Sequence, residues 1–383
     1  MGVDTENLDE EWERERVKEE QDSIRKAEPR PEMTSAEFLS WRSPRDVVCH
    51  PTRLDNKLWS WLVRTRWNGY QANELFSGPS SFDAGPMWVF DRFGMSETKL
   101  PDGRVVYVGG EHEDHYDPDF YIYNDVIVVD PTGRIEIYGY PRKDFLPTDF
   151  HSATLVKNEI YIIGRLGYAA DRRNHFTPVY KLWLDTMQIQ EVETSGDYPG
   201  WIINHSASLL DKEQKIIIRG GERWDNDKNI AYTNLDTWML DLCTCQWMRL
   251  EPSGWQHWIM RRADNKPNRL WEIRQALWNR KHKSFGFVDY WNYQDEPDFD
   301  ALSMLYCFSL DAPTPEEGKE VGDYKVLIDG LTVRFKEKSH WVEAFVEGEL
   351  SESSLVEIQT KTIALLERLD DAPYKIEPSS ALL

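Results

Sequence analysis

The chain of 383 residues lacks several things. It has four cysteines, at 49, 243, 245 and 307, and they fit neither a disulfide framework nor a paired Cys-x-x-Cys zinc site. Cys243 and Cys245 fall in what reads as a strand, where they sit on one face. No apolar run is long enough to cross a membrane: the longest, such as Val126–Val129 and Ile216–Ile218, are far short of the roughly 20 residues a spanning helix needs. The first ten residues are acidic and carry no apolar stretch, so no secretory leader is expected. Basic residues are scarce, 45 against 67 acidic, which leaves a net charge of −22. Such a surface repels phosphate backbones and anionic bilayers, so neither nucleic acid nor membrane is an expected partner. Phosphate-loop, dinucleotide Gly-x-Gly-x-x-Gly and nucleophile-elbow Gly-x-Ser-x-Gly patterns are missing too. A cytoplasmic protein is the expectation.

What is abundant is tryptophan, 17 residues in an otherwise polar chain. So many large rings require an extensive apolar interior or a broad aromatic surface.

The chain divides by composition. Residues 1–33 carry Asp or Glu at twelve positions and read as an acidic arm, helical or disordered. Residues 34–86 read as a helical segment. Thr34 followed by Glu37 is a capping box that starts a helix through Phe38, Leu39 and Trp41. A second helix is expected over 56–67, with Leu58, Trp61, Leu62 and Thr65 at helical spacing.

From 87 to 312 short β-rich runs repeat. Three entries align: Met95-Ser96-Glu97-Thr98, His151-Ser152-Ala153-Thr154 and His205-Ser206-Ala207-Ser208. Their serines are 56 and 54 residues apart. Each entry is followed by a strand that ends in Gly109-Gly110, Gly164-Arg165 or Gly220-Gly221. A later strand in each copy ends in Asp130, Asp185 or Asp241, which are 55 and 56 apart. A weaker fourth copy runs through Gln275-Ala276-Leu277, Ser284–Val288 and Leu305–Asp311. Each copy amounts to four antiparallel strands, too thin to bury both faces alone, and radial stacking of such sheets is one solution.

In these residues the chain resembles the kelch-repeat β-propellers. The resemblance rests on the His-Ser-Ala-Thr-like entry, the double glycine, the period and the Asp-ended third strand. It implies an all-β propeller of about four to five blades, preceded by helices. Residues 320–383 form an appendage: a hairpin on Asp329-Gly330, a strand over 340–346 and a helix capped by Ser351. Kelch relatives that are enzymes include a copper oxidase with a Tyr–Cys cofactor and a sialic-acid mutarotase. Tyr306 and Cys307 are adjacent and cannot form that cross-link, and no catalytic residue carries over.

Residues preceding the repeated entries fall towards one propeller rim, which makes Arg92, Asp149, His151, Asn204 and His205 candidates for contact with a partner. The recurrence of His151 and His205 also suits a structural hydrogen bond between blades. The Trp-rich insert adds Trp255 and Trp258, beside His257, Trp271, Trp278, Arg261 and Arg262, with Tyr290, Trp291 and Tyr293 following; Trp and Arg are favoured interface anchors. The tract Glu111, His112, Glu113, Asp114 and His115 mixes carboxylates with imidazoles and is a candidate site for a divalent metal. The leading expectation is a non-catalytic module that offers one rim to a protein partner. A metal-dependent enzyme using residues 111–119, or a carbohydrate-binding propeller, are the alternatives.

Overall fold

The structure is a computed structural model. It describes the chain except residues 1–15, 17–24, 26, 55, 80–83, 114–118, 211, 213, 228–229, 252–253, 284–290, 292, 294, 309–314, 319–320 and 379–383. The chain is mostly β and forms two compact units, Met1–Glu251 and Pro252–Leu383. Among the described residues no helix is long and apolar enough to cross a membrane.

The first unit contains the three copies as three antiparallel sheets. Sheet one orders Ser96–Lys99, Val105–Val108, Val126–Val129 and Ile135–Gly139 as neighbours, with Thr52–Arg53 added outside. Sheet two orders Ser152–Val156, Glu159–Ile163, Val179–Trp183 and Ile189–Glu191. Sheet three orders Ser206–Leu210, Lys215–Arg219, Thr237–Asp241 and Gln246–Glu251, with Ser195–Gly196 running parallel at its edge.

Each sheet alternates its side chains between two faces. One apolar layer lies between sheets one and two, built on Val106, Val108, Val126 and Val128 against Ile160, Ile162 and Leu182. Another lies between sheets two and three, with Val156, Ile163 and Val179 against Ile216, Ile218, Trp238 and Trp247. The N-terminal helices cover the remaining face of sheet one through Leu58, Trp59, Trp61 and Leu62, which meet Ile127 and Ile137. Those helices are Ser35–Trp41, Lys57–Thr65 and Gly69–Leu75. The Thr34–Glu37 capping box is fully formed, and Asn56 caps the second helix while Arg66 ends it in a left-handed conformation.

The copies are joined in the same way at each step. Gly94, Phe150 and Asn204, the residues two before each repeated Ser, all have positive φ (62°, 50° and 54°). Asn204 N–H donates to the Phe150 carbonyl and Phe150 N–H to the Gly94 carbonyl, both at 2.9 Å. The Asp residues that end the third strands form turns: Asp130 Oδ1 accepts from the Thr132 and Arg134 amides, and Asp241 Oδ1 from those of Cys243 and Thr244. Cys243 and Cys245 therefore lie in a turn rather than a strand, because Asp241 captures the amides a strand would use.

The second unit is one six-stranded antiparallel sheet in the order Glu316–Glu317, Asp323–Ile328, Leu331–Glu337, Val342–Val346, His257–Arg262, Tyr374–Pro378. Helices Leu270–Lys281, Phe299–Met304 and Glu352–Asp370 share its core, among them Ile273, Leu302, Ile358, Leu366 and Leu369. The expected hairpin forms on Asp329 (φ 51°) and Gly330 (φ 81°), and Ser351 Oγ caps the long helix at the Ser354 amide.

One expectation is overturned. The fourth copy fails: Gln275–Leu277 is helical, burying Leu270, Ile273 and Ala276 at helical spacing. Of its expected strand Leu305–Asp311, Leu305 and Tyr306 form a turn and Cys307 and Phe308 are in no strand, while the rest of it and Ser284–Val288 lie outside the described residues. The chain divides into its two units after Glu251, and the strand His257–Arg262 pairs within the second unit with Val342–Val346 and Tyr374–Pro378.

Candidate functional site

Strand register defines two rims in the first unit. Ser96 faces Val108, Val108 faces Val126, and Val126 faces Tyr138; Ser152 faces Ile163 and Ser206 faces Arg219 in the same sense. One rim therefore carries the long loops 109–125, 164–178 and 220–236 and the connections into each new copy. The other carries short turns. Residues Arg92, Glu111, His112, Asp149, His151, Asn204 and His205 all lie on the long-loop rim.

The two histidines link neighbouring sheets. His151 Nε2 and Ser96 Oγ are 2.8 Å apart, as are His205 Nε2 and Ser152 Oγ. Burial, aided by His205, pushes His151 down to about 3, and burial pushes His205 down to about 4. Both rings are neutral at pH 7, so they act as fixed hydrogen-bonding struts. Met95 replaces the histidine in copy one, and Ser206 Oγ donates to the Arg219 carbonyl.

Arg92 is also internal. Its side chain is fully covered, it pairs with Asp125 at 2.5 and 3.1 Å, and it lies 3.4 Å from the centre of the Tyr123 ring. An arginine held this way supports the rim and cannot reach a partner. Asn204 is exposed, but its residue type suits the left-handed backbone it occupies.

Asp149 and Glu111 come together, although the sequence put them in separate groups. Asp149 is wholly buried and accepts from the Gly167 amide at 2.7 Å. Burial raises its pKa against the opposing pull of that amide and of Arg165 and Arg172. Burial, then the Asp149 carboxylate, pushes Glu111 up to about 7. Arg165 stands where the other copies have their second glycine. In those copies Gly110 and Gly221 need positive φ; Arg165 does not, and its buried guanidinium donates to the Pro147 carbonyl at 2.7 Å and sits over Trp201. Arg172 donates to the Leu166 and Gly167 carbonyls and stacks 4.1 Å from the Trp224 ring centre.

The metal tract is only partly described. Glu111 and His112 form a short strand paired with Tyr121–Ile122, so their side chains point to opposite faces; Glu113 is exposed, and Asp114 and His115 lie outside the described residues. Among the described residues no three of His, Cys, Asp and Glu gather as a metal would require.

Trp255 and Trp258 lie outside the unit that carries this rim. They belong to the second unit, where Trp258 is buried in the core and Trp255 stacks on Phe345. The rim instead exposes Phe93 and Phe120, at 63% and 42% of their surface. Phe93 pairs through its backbone with Glu111. Phe120 meets Tyr168 edge-on at 6.0 Å, and the Tyr168 hydroxyl accepts from the Ile122 amide. Neither phenylalanine stood out in the sequence; Phe93 lies three residues before Ser96, and Phe120 lies ten past Gly110 with no signal of its own.

No family model matches the chain, and no curated protein matches it. A solved structure described as "Structure of YjhT" is similar at 12% identity over 67% of this chain and 81% of that one, with a TM-score of 0.32.

Proposed function

We propose that the first unit is a kelch-type propeller segment of three blades, and that the protein is a non-catalytic interaction module offering the long-loop rim to a protein partner in the cytoplasm. The observation that carries this reading is the exposure of Phe93 and Phe120 beside Tyr168 and half-buried Glu111, on a rim whose histidines and Arg92 are already engaged inside the fold. Exposed aromatics on rigidly supported loops are the usual anchors of protein recognition. Four free thiols, at Cys49, Cys243, Cys245 and Cys307, suit a reducing compartment. The test is quantitative cross-linking and affinity capture from a native extract. The wild-type chain retains one stoichiometric partner, and the Phe93→Ser/Phe120→Ser variant releases it. Equal capture by both chains, or no specific capture, contradicts the proposal.

One observation favours a second reading. Burial raises both members of a carboxyl pair, Glu111 to about 7 beside Asp149, and a carboxyl poised near neutral pH is what acid–base chemistry uses. A sugar ligand or a bound divalent metal at this rim would make the pair a working site. A glycan array and elemental analysis of the purified chain test these; retention of a glycan lost in Glu111→Gln would favour it, and a blank in both assays would remove it.

A further inference from the structure

Two rings of the tryptophan-rich stretch, Trp271 and Trp278, are not among the residues of the second unit's hydrophobic core. Helix Leu270–Lys281 buries Leu270, Ile273, Ala276 and Asn279. It turns Trp271 and Trp278 outward, 61% and 43% exposed. Seven residues apart, they share one helix face about 10 Å from each other along the axis. The Trp278 ring stacks on the His282 imidazole with centres 4.3 Å apart.

The two ends of this face differ. Beside Trp271 is a groove of about 290 Å³ whose lining includes Pro267, Leu270 and Val321; Val321 is 80% exposed. Four charged side chains line it, Glu272, Arg274, Glu337 and Lys338, and Arg274 grips Glu337 through two 2.7 Å bonds. Beyond Trp278 stand Lys281 and Lys283, exposed and without an ion pair among the described residues. Unpaired lysines next to exposed tryptophans are unexpected on a chain of net charge −22.

We propose that this helix face docks an extended acidic peptide segment of a partner protein, with an apolar residue in the groove beside Trp271 and Asp or Glu residues against Lys281 and Lys283. The helix rises about 1.5 Å per residue, so Leu270 and Lys281 are about 16 Å apart along it. An extended chain covers that span in about five residues. The motif is therefore an apolar residue followed about five positions later by acids. A peptide at physiological salt senses charge within a Debye length of about 8 Å, where the lysines dominate. An anionic bilayer would meet the acidic chain over a much wider area, with exposed Glu272 beside Trp271. This surface belongs to the second unit and stands independently of the rim reading.

The test uses the full chain and fluorescence anisotropy of a fluorescein-labelled peptide, acetyl-Leu-Ser-Gly-Ser-Gly-Glu-Asp-Glu-amide. A counterpart with lysine in place of its three acids is the control. The acidic peptide binds and the lysine peptide does not. Trp271→Ala and Trp278→Ala each weaken binding about tenfold while leaving the melting temperature in place. Lys281→Glu/Lys283→Glu weakens it at least as much and flattens its salt dependence. Absence of binding, equal binding of both peptides, or insensitivity to the tryptophan variants overturns the proposal. So does tryptophan-dependent binding to phosphatidylserine vesicles without peptide binding.

Discussion

Residues 1–251 distribute their interior over apolar layers separated by sheets, whereas residues 252–383 gather theirs into one layer between a six-stranded sheet and three helices. A layered interior repeats the same solution at each step. Ile160, Ile162 and Leu182 do for one interface what Ile216, Ile218 and Leu240 do for the next, and a His–Ser hydrogen bond ties each pair of copies. A single layer has no such repetition: each of Leu366, Phe335 and Ile273 supports the whole unit at once. Damage should therefore stay local in the first unit and spread in the second.

The sharpest way to break that contrast is Leu366→Ala. This side chain is fully buried in the single core, and its truncation should cost about 3 kcal/mol. Amide hydrogen exchange should quicken together in His257–Arg262, Leu331–Glu337 and Val342–Val346 and stay unchanged in Ser152–Val156. Quickening confined to the long helix would contradict a shared core.

His205→Ala follows at about 2 kcal/mol, because it leaves buried Ser152 Oγ without its partner. Exchange should rise in Ser152–Val156 and Ser206–Leu210 but not in Ser96–Lys99. A rise in all three would show that the layers are not independent.

Acid should act chiefly through the same struts. His151 and His205 titrate at about 3 and about 4 in the folded chain, well below the ordinary value of 6.5. A base whose folded pKa is depressed binds its proton more readily when unfolded. Its contribution to stability is therefore complete above pH 6.5 and is lost as pH falls towards 4. The melting temperature should drop across that interval, and His151→Asn/His205→Asn should drop less steeply. Parallel slopes would place the acid sensitivity elsewhere. The smallest effect belongs to Ser206→Ala, within about 0.5 kcal/mol, since Ser206 is exposed and bonds only within its own sheet.

The same contrast explains what the sequence made legible. In the first unit a local pattern recurs at a fixed period, so the strands Val105–Val108, Glu159–Ile163 and Lys215–Arg219 could be aligned with one another before any contact was known. The recurrence of His151 and His205 pointed to a hydrogen bond between copies for the same reason, but not to Ser96 and Ser152 as the partners. The capping box at Thr34 and the Asp329-Gly330 turn are short-range chemistry and were equally plain. The second unit has long-range pairing and no repeat. His257–Arg262 finds its neighbours more than 80 residues away, which no local pattern announces. Exposed Trp271 and Trp278 mask the buried stripe of Leu270, Ile273 and Ala276, so Leu270–Lys281 did not declare itself as an amphipathic helix.

At the rim, the sequence supplied positions but not roles. Arg92, His151 and His205 are placed where the period puts them, yet the structure turns each inward. Glu111 and Asp149, 38 residues apart, meet because the backbones of Gly110 and Tyr123 both hydrogen-bond to Thr148 at the entry to the second copy. Phe93 and Phe120 become conspicuous only once their neighbours are covered.

The central claim is that equivalent sheets are pinned by equivalent histidine–serine pairs. Double-mutant cycles on His151–Ser96 and His205–Ser152, using alanine at each position and urea unfolding as the readout, test it most directly. The account predicts coupling of about 1 kcal/mol in both cycles, alike in sign and size. Additive effects in both cycles, or coupling in one and none in the other, would contradict it.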